Sequence, residues 1–182
     1  MNKENRFQFI NSEKSENITV LDATMSDFSY SKHAHEEYSL GVTLQGRQDF
    51  FCQNAFHKSS SGNVLLFNPE DVHDGHSGGE QALKYKMLYV HPDEFRPLFR
   101  SLGYQQNSVL RLNQPMVDNP ILRHQILRLS STLQQSNYSK MEFESGLFQI
   151  AQSLVVMSGN FDLGTQNSKR VDKLLLRARD YI

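Results

Sequence analysis

The chain has no tryptophan and a single cysteine, Cys52, in 182 residues. One thiol excludes an intrachain disulfide and any zinc knuckle built from cysteines. A reduced, cytosolic setting is therefore expected. Long apolar runs are also missing. The longest are of the kind Val64-Leu65-Leu66-Phe67, far short of the roughly 20 apolar residues a membrane helix needs, so no membrane partner is expected. The polar opening Met-Asn-Lys-Glu-Asn-Arg leads into no apolar segment, and no signal peptide is expected. Neither sign of charge prevails: 19 Lys and Arg face 20 Asp and Glu. Bulk charge is thus not expected to hold this chain to nucleic acid. No internal repeat and no low-complexity tract is visible. What the chain does have is 38% hydrophobic residues, enough for the core of one or two small domains.

Two halves differ in texture. From Phe7 to about Val90, short apolar or alternating runs stand between turn-rich clusters. The runs are Phe7–Ile10, Ile18–Leu21, Tyr38–Leu44, Asp49–Cys52, Val64–Phe67 and Leu83–Val90. The clusters include Gln53-Asn54, Ser59–Gly62 and Gly75–Gly79. Many short strands at close spacing predict an antiparallel sandwich or barrel. Tyr38, Leu40, Val42 and Leu44 alternate with Ser39, Gly41 and Thr43, the pattern of a strand with one buried face. Leu83, Tyr85, Met87 and Tyr89 alternate in the same way.

After Val90 the period changes. A short helix is predicted from Pro92 to about Ser101, with proline in its first turn. A second opens at Asn119-Pro120, where Leu122, Ile126, Leu129 and Leu133 form one stripe. Ser139-Lys140-Met141-Glu142 reads as a capping box, and Phe143, Leu147, Ile150, Leu154 and Met157 continue on one face. Gly159 ends this helix. The short connection predicts an antiparallel helical hairpin. Its apolar stripes must pack on something, and the two helices offer each other one such surface.

A polar segment over 159–169 reads as a linker. Val171, Leu174, Leu175 and Ala178 then begin a new helical stripe. Lys169 to Ile182 carry five Lys and Arg against two Asp, a basic helix that suggests a continuation past Ile182.

The chemistry-bearing residues are histidines. His33 and His35 stand just before the Tyr38–Leu44 strand, and residues two apart on extended chain share a face. His73 follows the segment Gly62-Asn63-Val64-Leu65-Leu66-Phe67-Asn68-Pro69. This order of His-x-His, strand, glycine-bounded hairpin, apolar strand, proline and histidine resembles the two motifs of the cupin barrel family. In its metal-binding members, such histidines and one glutamate hold a divalent ion. The glutamate position is here Ser39 or Leu40, and Glu37 lies only two residues after His35. A site of His33, His35 and His73 suits zinc or nickel with an open position. The alternative is that these imidazoles line an organic-ligand pocket or satisfy buried backbone groups.

The wider pattern is similar to the N-terminal domain of AraC-type transcriptional regulators. It is carried by Gly46, by Gly62 through His73, and by Tyr85-Lys86-Met87-Leu88-Tyr89-Val90-His91-Pro92-Asp93-Glu94-Phe95. The resemblance implies a mainly β chain with C-terminal α structure, a cupin-like jelly-roll barrel followed by an antiparallel two-helix hairpin. It divides the chain into a ligand-binding barrel with an N-terminal arm (1–105), a dimerisation hairpin (106–158), a linker (159–169) and the first helix of a helix-turn-helix domain (170–182). It implies a small-molecule effector bound in the barrel, with Ser31, His33, His35, His73, Tyr85 and Met87 as contacts. It implies a homodimer through Leu122, Ile126, Leu129, Leu147, Ile150 and Leu154, and DNA contact only through a C-terminal domain that this sequence does not contain. Residues 1–16 correspond to an arm that closes over the pocket. The sugar-sensing member of the family stacks a tryptophan on its ligand, which this chain cannot do, so a carboxylate, an amino acid or a metal are equal alternatives. No enzymatic activity is implied. The competing class is a metal-dependent cupin enzyme using His33, His35 and His73. His57, His76, His91 and His124 are expected at the surface or in caps, and Cys52 as a small strand residue.

Overall fold

The structure is a computed structural model that describes residues 5–104 and 108–159. The linker expected over 159–169 and the helix over 170–182 lie, Gly159 apart, outside the described residues.

The first half folds into nine strands: β1 (Arg6–Asn11), β2 (Ile18–Met25), β3 (Ser29–His33), β4 (Tyr38–Gln45), β5 (Arg47–Cys52), β6 (Ala55–Ser60), β7 (Val64–Phe67), β8 (His73–Ser77) and β9 (Leu83–Val90). Helix α1 (Pro92–Ser101) follows, then a two-residue strand β10 (Met116–Val117), α2 (Pro120–Leu133) and α3 (Lys140–Met157). One antiparallel sheet runs β1-β2-β9-β4-β7-β10 and a smaller one runs β3-β8-β5-β6. Facing each other, they form the barrel-like jelly roll expected for a chain of short alternating runs.

Four strands were not anticipated, the two-residue β10 of the large sheet and three others. β3, β6 and β8 read SYSKH, AFHKSS and HDGHS, with little apolar patterning. They lie in the small sheet, whose outer face is wet, so only alternate side chains needed to be apolar or small. The turns expected at Ser59–Gly62 and Gly75–Gly79 are accordingly shorter, because strand pairing runs through Ser60 and Ser77.

A second correction concerns the large sheet. β4 was expected to bury one face, yet Tyr38 through Thr43 are all buried. Tyr38, Leu40 and Val42 face the helices, while the alternate residues face the barrel interior. The same division splits Val64 and Leu66 from Leu65 and Phe67, and Leu88 and Val90 from Tyr85 and Met87. A sheet covered on both faces explains why its strands look like continuous apolar runs.

The helices cover the first of these faces. Asn119 caps α2 by accepting from the amides of Ile121 and Leu122, and the capping box of Ser139 and Glu142 at the start of α3 is complete at 3.1 and 2.9 Å. The two helices run antiparallel. Gly146 opposes Leu129, Ser153 donates to Gln125 Oε1 at 2.8 Å, and Asn119 meets Met157.

The six residues expected to contact a second copy are placed differently. Leu122, Ile126, Leu129, Leu147, Ile150 and Leu154 are all buried within this one chain. They share an apolar core with the outer face of the large sheet and with Phe95 and Phe99 of α1. Their surface is consumed inside the chain because the hairpin packs on its own barrel. Described residues on both sides of the division expected at 105/106, Tyr104 and Leu110 among them, share this core, and β10 adds a strand to the barrel sheet by pairing with β7.

Candidate functional site

The opposite face of the large sheet meets the small sheet around a cavity of about 340 Å³. Its lining comes from inward positions of both sheets. Ser39 and Met87 belong to β4 and β9, Gln48 to β5, Phe67 to β7 and His73 to β8. The volume is at the lower end of small-molecule sites. Strand geometry makes this convergence unavoidable, since every second side chain of a barrel points inward.

At one end stand the three histidines. Antiparallel pairing of β3 with β8 sets His33 directly opposite His73, and their ring centroids are 4.5 Å apart. His35 lies 4.9 Å from His33 and 5.4 Å from His73 by the same measure. One nitrogen from each ring falls within 4.8 Å of the others. The loop bearing His35 is fixed where its carbonyl accepts from the amide of Glu70 at 2.8 Å.

Two of these rings have an assignable tautomer. His33 Nδ1 donates to the carbonyl of Ser31 at 2.7 Å and His73 Nδ1 to the carbonyl of Asp71 at 2.8 Å. A carbonyl only accepts, so each Nδ1 carries a proton, and in the neutral ring that leaves the lone pair on Nε2. Asp71 is itself held: its carboxylate accepts from Asn68 and Arg111, and Asn68 Oδ1 accepts from the amide of Leu112. The loop after α1 thereby braces the carbonyl that orients His73. Burial, with the neighbouring imidazoles, pushes His73 down to about 4, against a hydrogen bond to Asp71 that acts the other way. Burial and His33 lower His35 as well. Both rings are therefore neutral at pH 7, the form that ligates a metal.

The donor set fits a divalent ion such as zinc or nickel: three imidazoles, two with their Nδ1 protons engaged by carbonyls and Nε2 free. No carboxylate joins the group among the described residues. Glu37 lines the cavity without belonging to the cluster.

Beside the histidines stand phenols. Tyr85 Oη donates to Tyr30 Oη at 3.3 Å, and Tyr89 lies 5.1 Å from the His35 ring. Burial raises the pKa of Tyr30, Tyr85 and Tyr89, so they remain protonated donors. Phe67 stacks on His73 at 3.9 Å, and Phe9 of β1 reaches the cavity from the edge of the large sheet. The segment expected to act as an arm is thus a paired strand over Arg6–Asn11.

Of the residues singled out from the sequence, His33, His35, His73, Tyr85 and Met87 all line this cavity. Ser31 does not. Its side chain is exposed, and it contributes only the carbonyl that orients His33. Met87 lies against Gly41, where a Cβ would come within 2.8 Å of its sulfur. Tyr30, Ser39, Gln48, Phe67 and Tyr89 were missed as lining. For Ser39 the signal was its place one residue from the buried Tyr38 set, on a strand whose second face is also covered. Cys52 is a buried strand residue, its thiol pushed up to about 11 by burial. His91 caps α1 by accepting from the Asp93 amide, and His124 is exposed.

Residues 17–151 match the family model described as the AraC-like ligand binding domain. A stretch of 64 residues is 31% identical to an uncharacterized HTH-type transcriptional regulator, YbfI, of Bacillus subtilis (strain 168); it spans 35% of this chain and 23% of that protein. Among solved structures, an RmlC-like cupin with a double-stranded β-helix fold from Methanocaldococcus jannaschii aligns with TM-score 0.45 and 13% identity, over 52% of this chain and 88% of that one. A Cupin 2 conserved barrel domain protein from Salinispora arenicola CNS-205 aligns with TM-score 0.43 and 16% identity, over 50% and 80%. Among the described residues no helix is long and apolar enough to cross a membrane.

Proposed function

Because the chain belongs to the AraC-like ligand binding domain family, we propose that it is the effector-sensing part of a transcriptional regulator and not an enzyme. The observation that carries this is the cavity of about 340 Å³ inside the barrel, lined by convergent polar and aromatic side chains. A small molecule held there acts on the rest of the protein only if it binds one arrangement better than another. β1, which contributes Phe9 to the lining, and the loop that braces Asp71 behind His73 are the elements through which occupancy would be felt. DNA contact belongs to a separate domain, as in a helix-turn-helix regulator. Homodimerisation is part of the same proposal. With the six stripe leucines and isoleucines buried, a second copy would meet the outward sides of α2 and α3, where Ile121, Met141, Phe148 and Val156 are exposed.

Thermal unfolding of the protein against sugars, amino acids and aromatic acids tests the sensing role. A ligand at a hundred times its Kd raises stability by about 2.7 kcal/mol. A panel in which no compound moves the midpoint contradicts it. Sedimentation tests the dimer: the expected mass is about twice 21.0 kDa, and Met141→Glu with Phe148→Glu is expected to return it to the single value. A wild-type monomer at high concentration contradicts the dimer alone.

The histidine geometry favours a second reading, in which His33, His35 and His73 hold a divalent ion that supplies a Lewis-acidic position for an anionic ligand group. Elemental analysis is expected to give one equivalent of zinc or nickel, lost in His33→Ala and His73→Ala. Absence of metal from protein purified without chelator contradicts this reading and leaves the organic-ligand site standing.

A further inference from the structure

Two residues that line this cavity each carry a polar atom with no protein partner. Ser39 Oγ and Gln48 Oε1 are buried without a hydrogen bond, on residues only 1% and 5% exposed. They come from opposite sheets, Ser39 from β4 and Gln48 from β5, and both line the cavity. Gly75 leaves room beside the Gln48 amide, since a Cβ there would stand 3.2 Å from Gln48 Nε2, a tight contact. A buried polar group left unpaired costs stability. Among the described residues a third such atom, Ser130 Oγ, lies on α2 away from the cavity; the pairing of two on residues that line one cavity marks a surface shaped for something other than folding.

The remaining lining tells what that is. Among the described residues, neither lysine nor arginine contributes to it. A carboxylate or phosphate would lose its hydration with no cation to replace it. The unpaired Gln48 Oε1 and the Glu37 carboxylate are acceptors that cannot donate, beside the hydroxyls of Tyr30, Tyr85 and Tyr89, which can do either.

We propose that Ser39 and Gln48 are the recognition pair of this cavity, and that they select an uncharged or cationic ligand bearing an N–H or O–H donor directed at Gln48 Oε1. This rests on the sensing function proposed above and narrows its ligand to amines, amides and alcohols as against organic anions.

The test uses metal-stripped protein and matched probes in thermal unfolding and calorimetry. One set is benzylamine, benzamide, benzyl alcohol and benzoate; another is glucose and glucose 6-phosphate, extended to amino alcohols and their amino acids. Donor-bearing members are expected to raise the midpoint while their anionic counterparts do not. Gln48→Met and Ser39→Ala are expected to weaken the binding of each hit at least tenfold. Without ligand, both variants are expected to be as stable as wild type or more so, because each removes an unpaired polar group. Binding confined to anions, or hits untouched by Gln48→Met, overturns the ligand class and leaves sensing intact. Ligand-free variants that unfold earlier than wild type show these side chains to be structural and overturn the recognition pair. A panel with no hit at all overturns the sensing function itself.

Discussion

The two faces of one β-sheet have been put to different uses. On the side of the helices, Leu40, Val42, Leu66 and Leu88 meet Ile126, Ile150 and Leu154 in a core of apolar side chains. On the side of the barrel interior, Ser39, Phe67, Tyr85, Met87 and Tyr89 of the same strands meet imidazoles and an amide brought by the small sheet and the loop after β3, and together they surround a cavity. Alternation along a strand is enough to separate the two, because consecutive side chains point to opposite faces. Stability can be concentrated on one face, which frees the other to carry groups that do nothing for folding. The hairpin matters in this division. By covering the outer face it allows the inner face to stay partly hollow.

This contrast predicts its largest effect on the helix side. Ile126→Ala and Leu40→Ala remove fully buried side chains and are expected to cost about 2–5 kcal/mol each in chemical denaturation. Met87→Ala on the cavity side is expected to cost less, since a neighbouring space already exists for the structure to relax into. Equal losses on both sides would remove the distinction between the faces.

Acid comes next in size, and above pH 4 its effect falls mainly on the histidines of the cavity side. His73 titrates near pH 4 in the folded chain and near 6.5 when unfolded. Between those values the unfolded state binds the extra proton, so stability falls as pH drops from 6.5 toward 4 and levels off below. The contribution is on the order of 3 kcal/mol, and His35 acts in the same direction. His73→Asn is expected to flatten that part of the stability–pH curve in metal-free protein. An unchanged slope would show that the imidazole is not held neutral.

The caps give the smallest effects. Asn119→Ala and Ser139→Ala each remove a side-chain acceptor from the first turn of a helix, with an expected loss of about 1 kcal/mol in thermal unfolding. Because they lie on the helix side, they are expected to leave ligand affinity unchanged, which sharpens the separation.

How much of this could be read beforehand follows from the same division. The strands of the large sheet announced themselves because both of their faces are buried, so runs such as Val64–Phe67 are apolar throughout. The helices and both caps were legible from the 3.6-residue stripe and from Asn119 and Ser139. What the stripe does not contain is the identity of its partner. Leu122 and Ile150 look the same whether they meet a second copy or the chain's own barrel. β3 and β8 were illegible because one side of each faces water and the other a polar cavity, and β6 because it is an edge strand exposed along most of its length, which leaves no apolar pattern. For the site, the His-x-His spacing and His73 pointed to one place, and the β3–β8 register brings all three together. Ser39 and Gln48 gave no such signal: a polar residue in a strand ordinarily reads as its wet face, and only the second covered face shows otherwise.

The account turns on whether the inner face is a binding surface, and filling it tests this most directly. Ser39→Leu places an apolar side chain in the cavity without touching the helix-side core. Thermal unfolding of wild type and this variant, each with the matched amine, alcohol, amide and anion probes, should show shifts in wild type that vanish in a variant of undiminished stability. Shifts of the same size in both proteins would place binding elsewhere and contradict the account.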